Sequence, residues 1–238
     1  MPLDFPNCRV LSYGYDSFVS HFFSGAANQT NILGHANTFL SLVDDARHDC
    51  PSRPVIFISH SLGGLLVKAV LLEASKRKHE IYAATAGTIF LGTPHRGSSG
   101  YPELGRLVSS AARAVQFDTS NNILRDFSVD ASILQVLTDS FREAYNDLHF
   151  YLATFEEGRG FGVPIIARNK IVPSWSAHLE FEGEHKDVIN ADHRRMCRFS
   201  SKEDTGYIRV KVSLRKCINL KVKGTITSLL NTFAGLMA

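Results

Sequence analysis

Residues Val55–Ser75 read VIFISHSLGGLLVKAVLLEAS. The first five are β-branched, aromatic or small, a continuous run that suits a strand covered on both faces. From Leu62 to Lys76 the apolar residues recur at helical spacing, so the spacing predicts a helix there. Ser61 falls between the two, with Ser59 two residues before it and Gly63 and Gly64 two and three after. A sharp strand-to-helix turn needs small residues at such positions, because its backbone folds tightly against its neighbours. It also lifts the central side chain clear of the sheet. Ser61 is therefore the candidate nucleophile, and the amide of Leu62, at a helix N-terminus, is the candidate oxyanion donor. Ser59 departs from the glycine usual at that place.

Working outward, Cys8–Tyr15 (CRVLSYGY) reads as a buried strand ended by Gly14, and Asn31–His48 as a helix. Ala86–Gly92 (AGTIFLG) is a second buried strand, followed by the loop TPHRGSSG. Helical segments are expected near Leu104–Ala114 and Ala131–Tyr145, a strand at Leu148–Glu157, and short strand-like pieces at VPIIA and KIVP. Asn190–His193 closes a turn after HKDVI, and a last helix is expected from Glu203 to about Asn219, with an irregular tail over 219–238. Strands alternating with helices point to a mostly parallel α/β sheet flanked by helices. With no internal repeat and no low-complexity linker, one domain over 1–238 is the economical reading.

Composition excludes several classes. Hydrophobic residues make up 44% of the 238 and charged residues 21%, as in a folded protein rather than a disordered one. A formal charge of +3 gives no reason to expect nucleic acid binding. Cys8, Cys50, Cys197 and Cys217 form no C-x-x-C pair and no zinc-like spacing, so they read as free thiols of a reducing compartment. The N-terminus lacks the basic and apolar regions of a secretory signal, so the chain is not expected to be secreted. No apolar run approaches the ~18 residues of a membrane span. The C-terminal GTITSLLNTFAGLMA leaves room for a peripheral membrane contact, and Arg209, Lys211, Arg215, Lys216, Lys221 and Lys223 could meet anionic lipid. A solvated helix face is the plainer reading of that series.

A serine hydroxyl needs a base to take its proton and an acid to orient that base. In the strand–elbow–helix arrangement the chain order is serine, acid, histidine. The late histidines are His178 and His185, in a polar loop, and His193, which the ADH motif of the resemblance given below singles out as the base. His60 adjoins Ser61 and cannot easily face it; His95 is better read as bracing the TPHRG loop. The acid is expected to end the strand HFYLATFEE, at the C-terminal sheet edge where ligands meet parallel sheets. Glu156 is preferred, Glu157 is its neighbouring alternative, and Asp187 is a further rival. Asp192 reads as a turn residue.

Four segments carry a specific resemblance: RVLSYGYDS (Arg9–Ser17), RPVIFISHSLGGLLVKAVL (Arg53–Leu71), GTIFLGTPHRGS (Gly87–Ser98) and INADHRRMCRFSSKEDTGY (Ile189–Tyr207), with IVPSWSA (Ile171–Ala177) matching more loosely. In order and content they resemble the lipase-like serine esterases of the α/β-hydrolases, and among them the serine active site-containing protein family with its fungal relatives. The resemblance implies an α/β-hydrolase fold and hydrolysis of a carboxylic ester, lipid or acyl, by Ser61, His193 and Glu156, the last as the glutamate of a Phe-Glu pair. It implies no metal and no organic cofactor. It places the protein inside the cell, in the cytoplasm or at mitochondrial or endoplasmic reticulum membranes. Family members carry an HGxxG-like turn, the source of a second oxyanion amide, ahead of the YGYDS region. Here Met1 falls only a few residues before that region, so a truncated chain lacking the first strands, with weak activity, is expected. The competing expectation is a vestigial module of a nucleotide-binding receptor-like protein, although no P-loop pattern is present. Acyl-chain preference and oligomeric state are not encoded in any motif.

Overall fold

The computed structural model of the protein describes residues 3–14, 28–96, 110–111, 131–160 and 170–236. Its elements are α1 (Asn28–Arg47), β1 (Val55–His60), α2 (Gly63–Lys76), α3 (Glu80–Ala84), β2 (Thr85–Leu91), α4 (Ala131–Leu148), β3 (Tyr151–Glu157), α5 (Ser174–Ala177), β4 (His185–Ile189) and α6 (Thr205–Leu236). The four strands pair in sequence order, every neighbour parallel. The fold class is therefore α/β, as the alternation of strands and helices predicts.

Helices cover both faces of the sheet. α1, α2 and α4 pack on one face over Phe57, Phe90 and Leu152, together with Leu65, Leu137 and Phe141 from the helices. α6 packs on the other face, where Val210, Leu214 and Cys217 meet Ile89, Leu91, Ala153 and Phe155. β2 is buried along its whole length. Strand side chains alternate between faces, so along β3 Leu152 and Thr154 turn to the α2–α4 face, and Ala153 and Phe155 to the α6 face. That parity decides the composition of the site below.

Several expectations are corrected. The run VIFIS suits a strand covered on both faces, yet β1 is only partly covered, with Ile58 42% exposed, and among the described residues it pairs only with β2, at the sheet edge. Residues 8–14 form no strand among the described residues, and Val10 and Leu11 are exposed. An apolar, β-prone segment becomes a strand only when a neighbouring backbone accepts its hydrogen bonds. Between residues 9–13 and the outer side of β1 lies a cavity of about 490 Å³. KIVP forms bends rather than a strand. The last helix continues through Leu236, well past Asn219, in place of an irregular tail. VPIIA and most of Leu104–Ala114 lie outside the described residues.

Candidate active site

Ser61 sits between β1 and α2 with φ +54°, a left-handed conformation that costs an ordinary residue roughly 1–2 kcal/mol. Three contacts hold it there. Its N–H donates to the Leu91 carbonyl at 2.9 Å, extending the β1–β2 ladder. Its carbonyl accepts from Gly64 N at 3.1 Å and from the Thr93 hydroxyl at 3.0 Å. Gly64 is required by this packing: a Cβ there would stand 2.2 Å from Thr93 Oγ1. Ser59 carries a buried hydroxyl with no hydrogen-bond partner among the described residues, a cost that glycine would avoid. The Leu62 amide precedes the first turn of α2, and no backbone carbonyl of the described residues accepts from it.

The base candidate lies where the elbow needs it. His193 follows β4 on a turn built by Asp192, whose carboxylate accepts from the amides of Arg194 and Arg195, each at 3.0 Å. Asp192 is thus a turn residue. The His193 ring is fully buried, and its Nε2 lies 3.0 Å from Ser61 Oγ. Gly92, at φ +57°, makes room for it: a Cβ there would lie 3.1 Å from His193 Nδ1 and 2.7 Å from Met196 Sδ. The two contacting side chains come from positions 132 residues apart.

The carboxylate beside His193 belongs to Glu157, not to the preferred Glu156. Glu157 is fully buried, and its Oε1 lies 3.7 Å from His193 Nδ1. The same oxygen accepts from Val172 N–H at 2.5 Å, which orients the carboxylate from the segment before α5. Glu156 has the opposite parity. It turns to the other face, where Lys170 Nζ lies 3.1 Å and His178 Nε2 4.0 Å from its Oε2. Asp187 is also elsewhere, pairing with Arg209 on α6 and accepting from its neighbour Val188 N–H.

The other histidines take separate places. His178 contacts the Thr154 hydroxyl at 2.7 Å, and His185 lies tilted toward the Tyr151 ring and edge-on to Phe155. His95 is fully buried edge-on to Phe90, and burial holds its imidazole well below the ordinary titration range. Its backbone N–H donates to Ser176 O at 2.8 Å, while Ser176 Oγ donates to Arg96 O at 2.6 Å. The Arg96 guanidinium also donates to Trp175 O. The TPHR and PSWSA segments are thus tied together by one backbone–backbone hydrogen bond and by the side chains of Ser176 and Arg96.

Of the basic residues at the C-terminal end, Arg209 pairs with Asp187 and Lys211 with Asp4, which also accepts from the Tyr207 hydroxyl at 2.6 Å. These two cations are used within the fold. No helix among the described residues is long and apolar enough to cross a membrane.

Comparison with known proteins gives no matching family model. Among curated proteins, the chain is 32% identical over 212 residues to Protein SERAC1 of Mus musculus, covering 87% of this chain and 30% of that protein. It is 31% identical over 220 residues to Protein SERAC1 of Bos taurus, and 29% identical over 220 residues to that of Homo sapiens; each covers 90% of this chain and 32% of the relative. The chain therefore spans about a third of the length of the curated relatives it matches.

Proposed function

We propose that this chain is a serine hydrolase acting on a carboxylic ester, of the lipid or acyl class, through Ser61, His193 and Glu157. The observation that carries the reading is the 3.0 Å contact between Ser61 Oγ and His193 Nε2, made by a serine held at φ +54°. Left-handed backbone at a non-glycine residue persists only where the surroundings over-determine it, and such positions cluster at functional sites.

The chemistry follows from the geometry. His193 Nε2 takes the Ser61 proton as Oγ bonds to the ester carbonyl carbon. The carbonyl oxygen becomes an oxyanion, which accepts from the Leu62 amide. Glu157 faces the other ring nitrogen and stabilises the imidazolium that forms. His193 then returns the proton to the departing alkoxide, leaving an acyl-serine that water hydrolyses by the same route in reverse. Both the His193 ring and Glu157 are fully buried, so their charges interact with little screening by water.

A second reading, a non-catalytic module in which the triad is vestigial, draws on one observation. Glu157 Oε1 is committed to Val172 N–H, and His193 Nδ1 makes no hydrogen bond among the described residues. Labelling with a fluorophosphonate probe separates the two. The hydrolase reading expects labelling of the wild-type chain, lost in Ser61→Ala and reduced at least about 100-fold in rate in His193→Ala. Equal labelling of wild type and Ser61→Ala would sink it.

A further inference from the structure

His60 meets the same histidine that Ser61 meets, from the opposite end. Its Nε2 lies 2.7 Å from the carbonyl oxygen of His193, while the next residue's Oγ lies 3.0 Å from the His193 ring. A carbonyl oxygen can only accept, so His60 Nε2 carries the hydrogen. Successive strand side chains point to opposite faces, and His60 shares its parity with Ile56, which packs with the α6-side cluster. The left-handed turn at Ser61 then brings the following side chain to the ring. Two consecutive elbow residues thus grip the backbone and the side chain of one histidine that lies more than 130 positions away.

We propose that His60 is a positioning residue for the Ser61–His193 pair: its donated Nε2–H fixes the turn at Asp192–His193 so that the ring stays against Ser61. This role rests on the hydrolase reading. It explains how a histidine can stand beside Ser61 without competing as base, since its side chain is directed to the His193 carbonyl and not to Ser61 Oγ. The two imidazole centroids are 5.0 Å apart and tilted by 44°. His193 becomes cationic during turnover, so a second cation at that distance would oppose catalysis. Burial, the nearby His193 ring and the more distant Arg198 push His60 down to about 4, against the hydrogen bond to His193, so it stays neutral at the pH of turnover. His193 and Arg198 are the titratable or charged groups acting on it among the described residues.

Two variants and one spectroscopic measurement test the role. His60→Gln keeps an N–H donor at comparable reach; His60→Leu removes it. With fluorophosphonate and a short-chain ester, His60→Leu is expected to lose roughly 10- to 100-fold in kcat and labelling rate with KM little changed, and His60→Gln to recover to within about fivefold of wild type. Nitrogen-15 spectra of histidine-labelled wild-type protein are expected to place the His60 hydrogen on Nε2. A reactive wild type with an equally reactive His60→Leu overturns the role alone, as does a His60 hydrogen found on Nδ1. If His60→Leu fails to fold, the choice falls to the Nε2 assignment together with the rate of His60→Gln, and a Gln variant slowed beyond about tenfold then counts against positioning by donation. A wild type that neither labels nor turns over overturns the hydrolase reading, and this role with it.

Discussion

Glu156 and Glu157 are bonded neighbours whose carboxylates lie on opposite faces of the sheet. Glu157 reaches within 3.7 Å of His193 Nδ1, and Glu156 within 3.1 Å of Lys170 Nζ. The alternation of a strand makes this division obligatory: one residue of the pair must face α6, and the other must face α2 and α4.

Neutralising the two carboxylates is therefore expected to have unequal effects. Glu157→Gln should lower kcat for ester hydrolysis by roughly 10²- to 10⁴-fold, because the amide cannot stabilise an imidazolium as a carboxylate does. Glu156→Gln removes a partly exposed ion pair with Lys170 and should leave turnover nearly intact while costing at most about 1 kcal/mol of stability. Steady-state kinetics on the two variants, beside a urea titration, decides it. A Glu156 variant slower than the Glu157 variant would reverse the assignment of the acid.

The elbow's packing makes a prediction of unusual sign. Glycine to alanine in the first turn of a helix ordinarily gains up to about 1 kcal/mol. Gly64→Ala should instead destabilise by roughly 1–3 kcal/mol, since the new methyl must displace Thr93, whose hydroxyl supports the Ser61 carbonyl. Adding Thr93→Gly should restore most of the midpoint of urea unfolding but not the rate, because the space returns and the hydrogen bond does not. A more stable Gly64→Ala single variant would contradict the packing.

Lys68 gives the stability a pH dependence. Its side chain is fully buried between α2 and α4, with Thr138 Oγ1 at 3.5 Å and the Phe141 ring at 5.8 Å. Burial, and secondarily the Arg142 charge, push it from the ordinary 10.5 down to about 7. Between those values the unfolded chain holds a proton that the folded chain does not, so Lys68 makes stability rise with pH across that window. Below about 7 both states are protonated and the burial penalty is complete. Lys68→Met should raise the urea midpoint at pH 7 and narrow its advantage by pH 9. A constant difference between the two proteins across that range would mean that Lys68 keeps its charge on folding.

What could be read in advance, and what could not, follows from the same geometry. The elbow was legible because three signals coincide at Ser61: a β-branched run, small flanking residues and a helical period. His193 was expected from the ADH motif of the resemblance rather than from any pattern of hydrophobicity, and its ring lies 3.0 Å from Ser61 Oγ. Which of Glu156 and Glu157 stands beside His193 was not legible, because β3 is buried on both faces. Leu152 and Thr154 look no more core-like than Ala153 and Phe155, so hydrophobicity gives no parity to count from. The face is fixed by tertiary packing alone: the carboxylate near the His193 ring is that of Glu157, which shares its parity with Ala153 and Phe155 on the face that α6 covers. The run at residues 8–14 misled for a different reason. Side-chain pattern records the fitness of a segment for a sheet, whereas its membership depends on a second backbone far away in the chain.

The outermost place of the serine-bearing strand has a consequence for its backbone. Ser61 N–H points inward to Leu91, so in an alternating strand the amides of Ile56, Ile58 and His60 point outward, away from β2. Among the described residues, the strand that leads to Ser61 is therefore tethered through every second peptide unit only. Deuterium should enter the outward set long before it reaches the inward one, although both belong to six consecutive residues.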